Sequence, residues 1–194
     1  MRTSQIQRET HETAIGVNLN LDGAGTSVVD TGIGFLDHML TLLAKMGQID
    51  VTLKAKGDLN VDAHHTIEDV GIVLGKAINR AAGEREGITR YGAAFVPMDE
   101  ALVQVVLDFS NRPFLVWDVP LPYGQVGEFP LEMAEEFMRA LAFNAGITLH
   151  IRLLSGKNTH HILEAIFKAL GRALREALTV DPKLKGVLST KGML

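Results

Sequence analysis

"DAHHTIEDVG" at residues 62–71 and "KNTHHILEAI" at residues 157–166 carry one pattern, His-His-x-x-Glu, in separate halves of the chain. The surroundings repeat too. "GFLDHMLTLLAKMG" (34–47) and "PLEMAEEFMRALAFNAG" (130–146) place apolar residues at helical spacing and end at glycine. Each is followed by a strand pattern, "IDVTLKAKG" (49–57) or "ITLHIRLLSG" (147–156), then a short polar loop, the His-His pair and a second long helix. Period-2 segments precede them, "TAIGVNLNL" opened by Glu12 and "ALVQVVLDFS" opened by Glu100. The chain therefore reads as one domain over residues 1–194 made of two repeats, residues 1–90 and 91–194. The order of strands, helix, strand, helix, twice, predicts an α+β fold of internally duplicated half-domains, each an antiparallel sheet covered by helices.

Composition narrows the classes. A chain of 194 residues, 46% hydrophobic, suffices for one ordinary core. It has no cysteine, so disulfides, thiolate metal sites and a cysteine nucleophile are excluded, and any metal must be held by His, Asp or Glu. That usage suits a reducing cytoplasm, and the polar start "MRTSQIQRET" reads as untargeted. No apolar run approaches the roughly 18 residues of a membrane span. The net charge of −4, with basic residues scattered, lacks the stripe expected of a nucleic-acid binder.

Helical geometry constrains the repeated motif. Residues four apart share a face, so His64 converges with Glu68, and His160 with Glu164. Adjacent residues diverge by about 100°, so His65 cannot reach an ion that His64 binds, and the same holds for His161 beside His160. An economical solution gives each ion a His and a Glu from one repeat and the other His from a second repeat, in the same chain or in a neighbouring subunit. Two ions and shared interfaces follow. The plainer alternative makes both pairs helix decorations, with the glutamates favouring the helix dipole. Aligning the preceding helices sets His38 opposite Glu136; His38 is a ligand or a core histidine, and Glu136 a ligand or a solvated charge paired with Arg139. His150, mid-strand where the first repeat has Thr52, reads as structural or supporting, and His11 is uninformative.

"DTGIGFLDHML", "DAHHTIEDVGI", "MDEAL", "GITLHI" and "HHILEAIFKALGRAL" in order, with the terminal "STKGML", resemble the imidazoleglycerol-phosphate dehydratase family of histidine biosynthesis over nearly the whole chain. The resemblance implies a duplicated, βαββα-like half-domain of the ribosomal protein S5 domain 2-like kind. It also implies a large octahedral homo-oligomer of 24 subunits with active sites shared at subunit contacts. Two Mn²⁺ per active site, or other divalent metals, are implied, one bound by His38, His65, His160 and Glu164, the other by His64, Glu68, Glu136 and His161. Many relatives have His where this chain has Glu136, and carboxylate oxygen suits Mn²⁺ as well as imidazole does.

The same resemblance implies dehydration of a small phosphorylated imidazole substrate, D-erythro-imidazoleglycerol phosphate, to imidazole-acetol phosphate. Glu12, in "RETHET", takes the position of an acid/base group on the substrate diol, with Glu68 and Glu164 as further catalytic carboxylates. Arg90, Arg112, Lys168, Ser189, Thr190 and Lys191 are implied as the phosphate cradle, arginine gripping bidentately and lysine adding a point charge. By spacing alone, Glu12 is a strand-end carboxylate and Lys168 a helix charge. A metal-dependent hydrolase or a metal-stapled assembly protein would use similar ligands; the first predicts hydrolysis products, the second assembly without turnover.

Overall fold

The computed structural model describes residues 1–194. The first half runs β1 (Thr3–Glu9), β2 (Thr13–Asn20), β3 (Ser27–Asp30), α1 (Gly34–Gly47), β4 (Asp50–Gly57) and α2 (His64–Ala82). The second repeats that order as β5 (Tyr91–Met98), β6 (Ala101–Asp108), β7 (Phe114–Asp118), α3 (Met133–Ala145), β10 (Thr148–Ser155) and α4 (Thr159–Ala177). A small hairpin, β8 (Gln125–Val126) and β9 (Phe129–Pro130), interrupts the β7–α3 connection, which in the first half is only Thr31–Ile33. Each half is thus βββαβα rather than the βαββα-like order implied by resemblance.

The two four-stranded sheets have matching orders, β1-β2-β4-β3 and β5-β6-β10-β7. Three strands of each pair antiparallel, as alternation predicts, but the edge pairs β3–β4 and β7–β10 are parallel. A helix bridges each parallel pair, since parallel strands need a long crossover. Alternation assigns the faces. Ile15, Val17 and Leu19 of β2, and Val103, Val105 and Leu107 of β6, point inward and are buried, while their neighbours face out.

Helices cover one face of each sheet, α2 on β1 and β2, and α4 on β5 and β6. The helices also cross between halves, α1 packing on α4 and α2 on α3, so that 55 buried apolar residues form one continuous core. Glycine lets the backbones approach: a Cβ on Gly75 of α2 would stand 2.6 Å from the Leu141 carbonyl oxygen of α3. Gly47, read from sequence as a helix stop, instead packs near Gly171, and Gln48 takes the left-handed conformation that ends α1. No helix is long and apolar enough to cross a membrane.

Candidate active site

The crossing of α1 over α4 assembles the first group. Asn158 caps α4 by accepting hydrogen bonds from the His160 and His161 backbone N–H groups, so the His-His pair sits on the first turn. His160 Nε2 lies 3.1 Å and His38 Nε2 of α1 lies 3.0 Å from the same oxygen, Glu164 Oε1. The three ligand atoms lie within 4.8 Å of one another. Glu164 is 7% exposed. Burial raises its pKa, but hydrogen bonds from Lys168, at 2.6 Å, and from His38 and His160 outweigh it and hold the group at about 2. The carboxylate is therefore ionised. Two imidazoles and one carboxylate at this spacing fit a divalent first-row ion.

The corresponding residues of α2 and α3 converge less closely, and His38, His160 and Glu164 remain the one three-ligand cluster. His64 Nε2 stands 3.6 Å from Glu68 Oε2 one turn on, and His64 and Glu136 of α3 line one cleft of about 680 Å³ with Trp117, Tyr123 and Met133. Arg139 makes its close ion pair with Glu135; its Nε is 3.8 Å from Glu136.

The second histidine of each pair turns elsewhere. The His64 and His65 ring planes meet at 75° and those of His160 and His161 at 88°, and each second ring has partners of its own. His65 Nδ1 meets Asp58 Oδ2 at 3.0 Å, and its Nε2 lies 3.8 Å from Glu12 Oε1. His161 Nδ1 meets Glu100 Oε2 at 2.8 Å, with Asp99 3.7 Å from its Nε2. Asp58 and Glu100 raise the pKa of their imidazoles. Glu100 is pulled down to about 2 by His161 and by the Asn158 and Lys157 backbone N–H groups. Within one chain, then, His38, His160 and Glu164 meet without His65, and His64, Glu68 and Glu136 occupy neighbouring helix faces without His161.

Arg90, Arg112, Ser189, Thr190 and Lys191 line one pocket of about 750 Å³, joined by Tyr91 and Lys185. Lys168 is outside it, beside Glu164 and Met98. Arg90 spends Nε and Nη2 on Asp108 (2.6 and 3.0 Å) and donates from Nη1 to the Leu188 carbonyl (2.7 Å), which fastens the C-terminal tail over the pocket. Arg112 is freer, its side chain 64% exposed and 3.7 Å from Asp108. Glu12 is exposed on a turn held by Thr10, whose hydroxyl accepts from Glu12 N, and by Thr13, whose hydroxyl donates to buried Asp69. His150 stands exposed on the outer face of β10 between Val106 and Val116.

Sequence reasoning missed Asp58, Asp69, Asp108 and Lys185. Asp69 reaches back to Arg8, and Asp108 to Arg90, so no local period carries either pairing. Glu100 had a signal, its place at the start of β6 where Glu12 precedes β2.

Residues 31–174 match the family described as imidazoleglycerol-phosphate dehydratase. A protein of that name from Desulfitobacterium hafniense is 66% identical over 194 residues, covering 100% of this chain and 99% of that one. One from Acetivibrio thermocellus is 58% identical over 193 residues, with 100% and 99% covered. The crystal structure of imidazoleglycerol-phosphate dehydratase from Staphylococcus aureus aligns with a TM-score of 0.84 at 41% identity, over 92% of this chain and 99% of that one. The enzyme of the same name from Pyrococcus furiosus also gives 0.84 at 41% identity, over 97% and 100%.

Proposed function

This chain belongs to the imidazoleglycerol-phosphate dehydratase family, and from that premise we propose that it is a metal-dependent hydro-lyase converting D-erythro-imidazoleglycerol phosphate to imidazole-acetol phosphate and water. The observation that carries the metal dependence is the convergence of His38, His160 and Glu164 from helices of both halves. His38, His160 and Glu164, and likewise His64, Glu68 and Glu136, would hold divalent ions, Mn²⁺ by the resemblance, whose positive charge would make the substrate imidazole easier to deprotonate.

The chain's own groups do the rest. Arg112, Lys191, Ser189 and Thr190 hold the phosphate at one end of the substrate, and Arg90 fixes the tail that carries three of them. The substrate has no carbonyl beside the C–H bond that must break, so its ring is the electron reservoir. An electron pair from the ring expels the side-chain hydroxyl as water, giving a diazafulvene-like species; loss of a carbon-bound proton gives an enol, which tautomerises to the ketone. Glu12, exposed beside His65, passes protons to and from the diol in this reading. Glu164 and Glu68 act as carboxylates that hold ions and neutralise their charge.

The absence of His65 and His161 from the groups they would complete supports sites finished by other copies of the chain, in a large homo-oligomer that we take from the resemblance to be an octahedral 24-mer. A cytoplasmic location fits a chain without cysteine. The test is metal content, particle size and formation of imidazole-acetol phosphate measured on one sample before and after chelation. Loss of turnover and of the large particle, restored by Mn²⁺, is expected. Full turnover in metal-free protein refutes the metal dependence, and release of inorganic phosphate instead of a ketone would make the protein a hydrolase.

A further inference from the structure

The carboxylates opening β2 and β6 occupy matching places in the two halves but differ in what they hold. Glu100 is committed: Oε1 accepts from the Lys157 and Asn158 backbone at 3.1 and 2.8 Å, and Oε2 meets His161 Nδ1. Glu12 holds neither its loop nor Nδ1 of His65, and lies 3.8 Å away on the Nε2 side. The difference originates in the loops before α2 and α4. Residues 58–63 form a longer connection than residues 156–158, and its first residue, Asp58, has taken the Nδ1 of His65 at 3.0 Å. Asp58 Oδ1 is buried without a partner. An unsatisfied buried oxygen costs stability, so folding alone gives no reason for a carboxylate there.

We propose that Asp58 and Glu100 are positioning residues that hold Nδ1 of His65 and His161 and leave Nε2 as the donor atom for a divalent ion, and that Asp58 thereby releases Glu12 for proton transfer. A carboxylate on one imidazole nitrogen fixes the tautomer, orients the ring and makes the other nitrogen a better ligand. The inference rests on the metal-dependent reading above. It explains why one of two matching strand-opening glutamates is free for chemistry while the other is consumed by structure.

Asp58 decides the matter, because its side chain makes its hydrogen bond to His65 alone, whereas Glu100 also holds a loop. The intact oligomer is dialysed against graded Mn²⁺, and bound metal per chain is read by elemental analysis. Asp58→Ala is expected to weaken one of the two ions about 10–100-fold and leave the other unchanged. Asp58→Asn, which keeps an acceptor oxygen, recovers most of that loss. Glu12→Gln keeps both ions at wild-type affinity while kcat falls. Thermal unfolding of the metal-free variants at or above the wild-type midpoint shows that the fold is kept. Asp58→Ala binding both ions as tightly as wild type overturns the positioning role, and loss of an ion in Glu12→Gln overturns the release of Glu12. Wild-type protein that binds no divalent ion overturns the inference together with the reading beneath it.

Discussion

Gly171 of α4 faces the carbonyl oxygen of Leu43 on α1 with no room for a methyl group: a Cβ there would stand 2.5 Å from that oxygen. His38 rides on α1, and His160 and Glu164 on α4, so this contact sets the distance across the three-ligand group. Gly171→Ala should force the helices apart and cost about 1–3 kcal/mol, the usual range for overpacking. Urea unfolding would measure the loss, and Mn²⁺ affinity should fall with it. A variant as stable as wild type would show that α4 shifts freely over α1.

The cradle pocket predicts a defect in substrate rather than in metal. Arg112→Ala or Lys191→Ala removes a charge-assisted contact of about 1.5–3 kcal/mol, so KM should rise roughly 10–100-fold. Bound metal should stay at wild-type level. Loss of metal in either variant would place these residues with the ions.

Glu136 shares a cleft with His64, while Arg139 favours Glu135. Glu136→Ala should lower occupancy of one ion and spare the group around Glu164. Glu136→His should restore it with a different pH dependence, because imidazole must lose a proton near pH 6.5 before it can coordinate. Full occupancy in Glu136→Ala, measured after dialysis against limiting Mn²⁺, would make Glu136 a solvated charge.

Asp50 predicts an acid-sensitive turn remote from the site. Its Oδ1 accepts from the Thr26 and Ala24 backbone at 2.9 Å each, and these bonds, Thr26 first, lower its pKa. A carboxylate with a depressed folded-state pKa contributes stability above its unfolded value, near pH 3.9, and loses it as pH falls through the folded value. The stability advantage of wild type over Asp50→Asn should therefore hold at neutral pH and shrink below about pH 4. An advantage independent of pH would contradict this account.

Local periods carried much of the fold. The apolar spacing of "GFLDHMLTLLAKMG" marks α1 residue for residue, and the alternation of "ALVQVVLDFS" marks β6 and its buried face. The divergence of His64 from His65 follows from 3.6 residues per turn, and the Glu164–Lys168 pair was readable as four residues apart on one face. The parallel edge strands were not readable, because β3 has only four residues and its partner lies beyond a helix. The hairpin β8–β9, two residues per strand, is too short for any period. Asp58, Asp69 and Asp108 acquire their meaning from partners brought near by folding.

The crossing of α1 with α4 and of α2 with α3 has an evolutionary consequence. Two identical halves related by a two-fold axis must build both crossings alike, since every substitution in one is copied into the other. Joined in a single chain, the copies mutate separately. His38 and Glu136 stand at matching places on α1 and α3, and Asp58 occupies one loop with no equivalent in the other. Residence in a single chain thus lets the two environments differ, one richer in imidazole and the other in carboxylate, while the framework that holds them keeps its matching order.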